Sequence, residues 1–289
     1  MPFVELARSP LAPGVTPVRI HVRDAGAGRP IVFLHGGWGY GIYPVDRQIA
    51  ALAGGGRMVI PDRSGYGGSS EIESLSPDFH RRAMDETRAV VDALGLERPI
   101  LWGHSDGAII ALLLALEVPD RIGGVIAEAT HFYRRKPRSR AFFEAVAANP
   151  RTLGDSVTSA LARDHGPRWP HVLERHARAW LQIADEAAVD DEDFYAGRLG
   201  EVAVPVLVIH GARDPRTEPG EIEALEHALE KCPGRRQFVI LAEGGHSPHS
   251  EPATADNVTR IAAAFVDRAS GAGSREKPAP PAAPAGSAQ

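Results

Sequence analysis

This chain of 289 residues is short of several things, and each shortage closes off a class of protein. It carries one cysteine, Cys232, so no disulfide can form within it and no cysteine-rich metal site can be built. That scarcity leaves the compartment open but leans towards a cytoplasmic location. Lys and Arg number 32 against 37 Asp and Glu, a net charge of -5, so no basic field marks a polyanion-binding surface and nucleic acid is not an expected partner. No run of apolar residues approaches the roughly 18 positions of a membrane span. The opening Met1-Pro2-Phe3-Val4-Glu5-Leu6 lacks a basic start followed by an apolar stretch, so neither a secretory signal nor a membrane partner is expected. Aromatic residues are absent from Ser270 to Gln289, a tail of mostly Gly, Ala, Pro and Ser that cannot offset its own chain entropy and is expected to be disordered. There is no internal repeat.

What remains is ordinary globular material, 43% hydrophobic and 24% charged, enough for one α/β core with an inserted subdomain. Pro30-Ile31-Val32-Phe33-Leu34, Met58-Val59-Ile60-Pro61, Pro99-Ile100-Leu101-Trp102 and Gly124-Val125-Ile126-Ala127 are continuous apolar runs, the mark of strands covered by helices on both faces. Val18 to Arg23 alternates instead and reads as a half-buried strand. Helical spacing occupies Val45 to Leu52 and Asp78 to Leu94, so strand and helix alternate through Thr130 in the manner of a doubly wound, mostly parallel sheet. Between His131 and about Gly200 the strand signal stops. Helical patterns around Arg140–Ala148, Thr152–Asp164 and His171–Ile183 read as an all-helical lid. Strand and helix then resume with Val204 to Ile209, Gly220 to Cys232, Gln237 to Leu241 and Ala253 to Asp267. The expected organisation is therefore an α/β core over 1–130 and 201–269, a helical lid over 131–200 and the tail over 270–289.

The densest chemistry sits in Gly103-His104-Ser105-Asp106-Gly107, between an apolar strand and a helix of Ala, Ile and Leu. A G-x-S-x-G turn in that setting is a nucleophile elbow, tight enough to want glycine two residues before and two after the serine. A serine hydroxyl is a weak nucleophile unless a base takes its proton, and that base needs a third group to hold its tautomer. Candidates follow the last two core strands: Asp214 in Arg213-Asp214-Pro215, and His246 after Gly244-Gly245. Strand carboxyl ends converge in such sheets, so Ser105, Asp214 and His246 are expected to meet. Glu128 rivals Asp214, and His249 rivals His246. The oxyanion of an acyl-transfer intermediate would be held by the backbone N–H of Asp106 and by that of Gly37 in His35-Gly36-Gly37-Trp38, with Trp38 as the alternative.

These four motifs, in this order from about Val18 to Asp267, make the chain resemble the α/β-hydrolase superfamily. More narrowly, Gly103-His104-Ser105-Asp106-Gly107 and Gly245-His246-Ser247-Pro248-His249 are similar to the valacyclovirase-like (biphenyl hydrolase-like) branch of amino acid ester hydrolases. The resemblance implies a serine hydrolase acting on a small carboxylic ester through an acyl-enzyme, without cofactor or metal. Lactone or carbon–carbon bond cleavage, and a ligand receptor with vestigial turnover, are its alternatives. A serine nucleophile sets the chain apart from the aspartate-nucleophile haloalkane dehalogenases and epoxide hydrolases. In the amino-ester branch the aspartate after the nucleophile binds the substrate ammonium, which gives Asp106 that role by resemblance; on its own chemistry Asp106 equally suits a cap on the first helical turn. Trp38, His131 and Phe132 complete the expected substrate contacts, though lid aromatics also suit its own core. The basic run Arg134 to Arg140 reads as a solvated face and Asp190-Asp191-Glu192-Asp193 as a surface loop.

Overall fold

The computed structural model of the protein describes residues 3–271. Eight strands form one sheet: β1 (Phe3–Leu6), β2 (Val18–Gly26), β3 (Arg29–Leu34), β4 (Gly56–Pro61), β5 (Ile100–His104), β6 (Gly124–Glu128), β7 (Val206–Gly211) and β8 (Arg236–Leu241). Their order is β1-β2-β4-β3-β5-β6-β7-β8, antiparallel through β1, β2 and β4 and parallel from β4 onwards. The parallel strands β3 to β7 carry the continuous apolar runs, because helices cover both of their faces, whereas the edge strand β8 is largely exposed. Strand β3 divides its side chains accordingly. Val32 and Leu34 pack with the helices α2 (Phe79–Ala93) and α3 (Asp106–Glu117), whereas Ile31 and Phe33 pack with α1 (Asp46–Leu52) and α8 (Ala255–Gly271).

Every residue of α3 from Asp106 to Leu116 is buried, so this helix has no polar face to lose to solvent. Apolar residues all round are what a central helix requires, and each fully buried Leu or Ile adds about 1.5–3 kcal/mol. The helix carrying the elbow is thus held as deeply as the central strands beneath it, apart from its last residue.

Between β6 and β7 the chain leaves the sheet for α4 (Pro137–Ala148), α5 (Asp155–His165) and α6 (Trp169–Glu186). Helix α6 turns Val172, Leu173, His176, Trp180 and Ile183 inward at spacings of three and four, one face of a helix. Helix α7 (Glu221–Leu229) then precedes β8.

Some boundaries differ from the sequence reading. Strand β1 was not expected, being four residues long and stabilised by pairing with β2. The basic run is not uniformly solvated: Arg134, Arg135 and Arg140 pair with Glu192, Asp190 and Asp185, while Lys136 is buried against Glu221. That buried pair fastens the first residues of the insert to α7. The expected disorder of the tail lies outside the described residues, apart from Ser270 and Gly271 at the end of α8. Among the described residues no helix is long and apolar enough to cross a membrane.

Candidate active site

Strand β5 ends at His104 and α3 begins at Asp106, which leaves Ser105 alone to reverse the chain, at φ 54° and ψ -120°. A non-glycine residue held there stores about 1–3 kcal/mol of strain, sustained by the buried elements on either side. The flanking glycines are required by close approach. A Cβ on Gly103 would overlap the backbone of Gly107, and one on Gly107 would overlap the carbonyl of Leu34. Backbone packed this tightly points the Ser105 side chain away from the sheet, over the carboxyl ends of the strands. As the first residue of a helix, Asp106 has an N–H with no preceding turn to bond.

Above the elbow, Ser105 Oγ lies 3.1 Å from His246 Nε2, and His246 Nδ1 lies 2.8 Å from Asp214 Oδ2. Burial would raise the Asp214 carboxyl, but the adjacent His246 outweighs it and the pKa falls to about 2. An ionised Asp214 accepts the Nδ1–H of His246, and Nε2 is then free to accept the serine proton. The loop carrying His246 is held from below. His104 Nε2 donates to the His246 carbonyl at 2.8 Å, and burial with two neighbouring imidazoles keeps His104 neutral, its pKa pushed down to about 3. The rival residues Glu128 and His249 bond to one another at 2.8 Å, fully buried, and Glu128 also accepts from Trp102 Nε1. Burial opposes both charges, yet their mutual attraction prevails: Glu128 falls to about 2 and His249 rises. They brace the His246 loop and do not touch the hydroxyl.

A family model for the alpha/beta hydrolase family matches residues 31–256, well over half the chain. The chain belongs to the alpha/beta hydrolase family. It is an enzyme of that fold. It is 36% identical over 271 residues to the 2-hydroxy-6-oxo-6-phenylhexa-2,4-dienoate hydrolase of Burkholderia cepacia, covering 84% of this chain and 90% of that protein. Among solved structures it is similar to a thermophilic esterase from Thermogutta terrifontis, with a TM-score of 0.68, 20% identity and coverage of 92% and 98%. It is also similar to the enol-lactonase of Burkholderia xenovorans LB400, with a TM-score of 0.64, 21% identity and coverage of 91% and 100%. At those identities the two structures speak for the alpha/beta hydrolase fold alone.

In this alpha/beta hydrolase a cavity of about 180 Å³ opens beside Ser105 and His246, between the strand ends and the helical insert. Gly37 and Trp38 stand on its wall, and neither of their N–H groups bonds to a backbone carbonyl among the described residues. Gly37 is pressed so close to the insert that a Cβ would overlap the His176 ring and come within 2.7 Å of Asp106 Oδ2. The loop before it is tied down by the buried Arg63, whose guanidinium donates to the carbonyls of His35 and Gly36. Trp38 stacks between Tyr43 and Phe142. His131 is in the cavity too, with Nε2 3.4 Å from Ser105 Oγ and its ring stacked on His246. Burial, with Lys136 and His246 nearby, holds His131 neutral.

Two expectations need correction. Phe132 does not reach the cavity: its N–H is fixed by Glu221 and its ring packs on Tyr133 and Tyr195. The Asp106 carboxylate does not reach it either. Oδ1 accepts from His80 at 2.8 Å and Trp180 at 3.1 Å, and Oδ2 from His176 at 2.7 Å, so His176 and Trp180 stand between the carboxylate and the cavity. Burial would raise this carboxyl, but the two imidazoles hold it well below the usual range. It caps no helix, since its bonds go to α2 and α6. Sequence reasoning missed Tyr43, Phe143, His176 and Arg216 on the cavity wall. The one available signal was for Arg216, two residues after the triad candidate Asp214. Among the described residues no cluster of three His, Cys, Asp or Glu is arranged to hold a metal ion.

Proposed function

We propose that this chain is a serine hydrolase that cleaves small carboxylic esters through an acyl-enzyme. The observation that carries the reading is the unbroken line from Asp214 through His246 to the Ser105 hydroxyl, 2.8 Å and 3.1 Å long. Ser105 Oγ attacks the ester carbonyl as its proton passes to His246 Nε2, and the oxyanion formed is held by the N–H groups of Asp106 and Gly37. Collapse expels the alcohol, which takes the proton from His246. Water, deprotonated by the same imidazole, then attacks the acyl-serine and releases the acid. The helical insert acts as a lid, and its Phe142, Phe143 and Trp180 give the acyl group an aromatic wall that excludes water.

The cavity size supports short acyl groups, and the screened Asp106 argues against a preference for amino esters. A panel of para-nitrophenyl esters of short acids tests the reading. Wild type hydrolyses them, Ser105→Ala does not, and esters with and without an α-amino group differ little in kcat/KM. No turnover of any ester would reject it. A second reading is supported by the 36% identity to the Burkholderia cepacia enzyme: the substrate is an oxo-dienoate of the kind in that enzyme's name, attacked by the same serine at a ketone carbon.

A further inference from the structure

The cavity wall contains one permanently charged side chain, Arg216, and among the described residues no carboxylate pairs with its guanidinium. Its backbone is fixed at both ends. The N–H donates to Asp214 Oδ1 at 2.8 Å, and the carbonyl accepts from the buried Lys136 Nζ at 3.3 Å. From that anchored turn the side chain lines the cavity and lies over the Phe142 ring, with Cζ 3.3 Å from its centroid and 5.8 Å from that of Phe143. Among the described residues no hydrogen bond or ion pair to the guanidinium is formed. The adjacent acid is spoken for, since Asp214 gives Oδ2 to His246 and Oδ1 to the Arg216 backbone.

A guanidinium stacked face-on keeps its N–H donors in the plane, where they match the two oxygens of a carboxylate. Burial lowers the pKa of Arg216 against the through-space pull of Asp214, so the cation is partly stripped of water, and among the described residues no carboxylate bonds to it directly. The other titratable groups whose state is clear do not offset it. His104 and His131 are held neutral, and the Asp106 carboxylate is consumed behind His176 and Trp180. Phe142, Pro215 and Tyr43, which line the cavity with it, carry no charge.

We propose that Arg216 is the subsite for a free carboxylate on the substrate, so that the preferred esters are monoesters of short dicarboxylic acids. The proposal rests on the ester reading for its substrate, but the subsite can be tested apart from it.

The measurement is the ratio of kcat/KM for para-nitrophenyl hydrogen glutarate to that for its methyl ester, which removes the charge and adds one methyl group. Wild type should favour the anion by about ten- to a hundredfold, the usual worth of a hydrogen bond to a charged group. In Arg216→Gln the ratio should collapse towards one. Arg216→Lys keeps the charge without the paired donors and should retain part of the ratio, which also serves if the Gln variant fails to fold. A ratio unchanged in Arg216→Gln overturns the proposal, as does an equal fall for both esters, which would make Arg216 only a clasp between core and lid. In parallel, glutarate is titrated into Ser105→Ala. Binding weakened about tenfold or more by adding Arg216→Gln upholds the subsite even if no ester is ever turned over. Ester turnover with no Arg216-dependent binding removes the subsite and leaves the ester reading standing.

Discussion

Replacing Gly37 by alanine inserts one methyl group at the most crowded point between the core and the helical insert. The backbone there is not left-handed, so alanine meets no conformational objection and only space decides. The new Cβ would overlap His176 Nε2 and stand 2.7 Å from Asp106 Oδ2. Either His176 retreats and breaks its 2.7 Å bond to the buried Asp106, or the Gly37 loop backs away from the elbow. The loop is the softer choice, because moving His176 leaves a buried carboxylate short of a partner. Its N–H would then miss the oxyanion. Losing one such donor typically costs about 10²- to 10³-fold in kcat. The assay is kcat and KM on a short para-nitrophenyl ester, beside the thermal midpoint. We expect kcat to fall by about that factor with KM little changed. In a His176→Ala background the two nearest obstructing atoms are gone and only the 2.7 Å approach to Asp106 Oδ2 is left, so adding Gly37→Ala should cost less than it does alone. A Gly37→Ala enzyme with wild-type kcat refutes the placement of this donor, and an equal cost in both backgrounds refutes the steric argument.

Other outcomes follow from the same geometry. Asp214→Asn lets His246 settle in the wrong tautomer and should lower kcat by about 10⁴-fold with little change in melting temperature. Gly107→Ala places its Cβ on the Leu34 carbonyl, a backbone atom that cannot yield, so this variant should fail to accumulate as soluble folded protein. His249→Gln leaves Glu128 buried without its ion partner and should cost about 3–5 kcal/mol in denaturant unfolding. That loss depends on pH. His249 is raised above 6.5, so its contribution is complete below 6.5 and is lost as the pH climbs through its folded value; Glu128 is depressed to about 2, so its contribution is complete above 4.5 and is lost as the pH falls towards 2. The gap between wild type and a Glu128→Gln, His249→Gln double variant should therefore be widest between pH 4.5 and 6.5 and narrow on both sides, and a gap independent of pH contradicts the pairing.

Much of this was legible in the chain because it was local. The parallel strands announced themselves as unbroken apolar runs, and the elbow glycines and the His246 glycines sit within two residues of the atoms they serve. What could not be read was settled by partners far away in sequence. Asp106 looked like either a cation site or a cap, and its true partners His80, His176 and Trp180 are up to 74 positions distant on α2 and α6. Lys136 looked solvated within a basic run until Glu221, 85 positions on, buried it. Phe132 looked like one of the aromatics lining an acyl pocket, but Glu221 binds its N–H and its ring packs on Tyr133 and Tyr195 within the insert. Strand β1 was invisible for the same reason: four residues carry too little pattern, and only the register with β2 makes them a strand.

The central claim is that Ser105 forms a covalent intermediate with the help of His246. Mass spectrometry of intact protein, quenched within milliseconds of mixing with a para-nitrophenyl ester and followed by peptide mapping, tests it directly. The account predicts an added acyl group on the peptide holding Ser105, rising as nitrophenol is released in a burst, and neither adduct nor burst in Ser105→Ala. Steady hydrolysis by Ser105→Ala, or an acyl group mapped to any other residue, would contradict it.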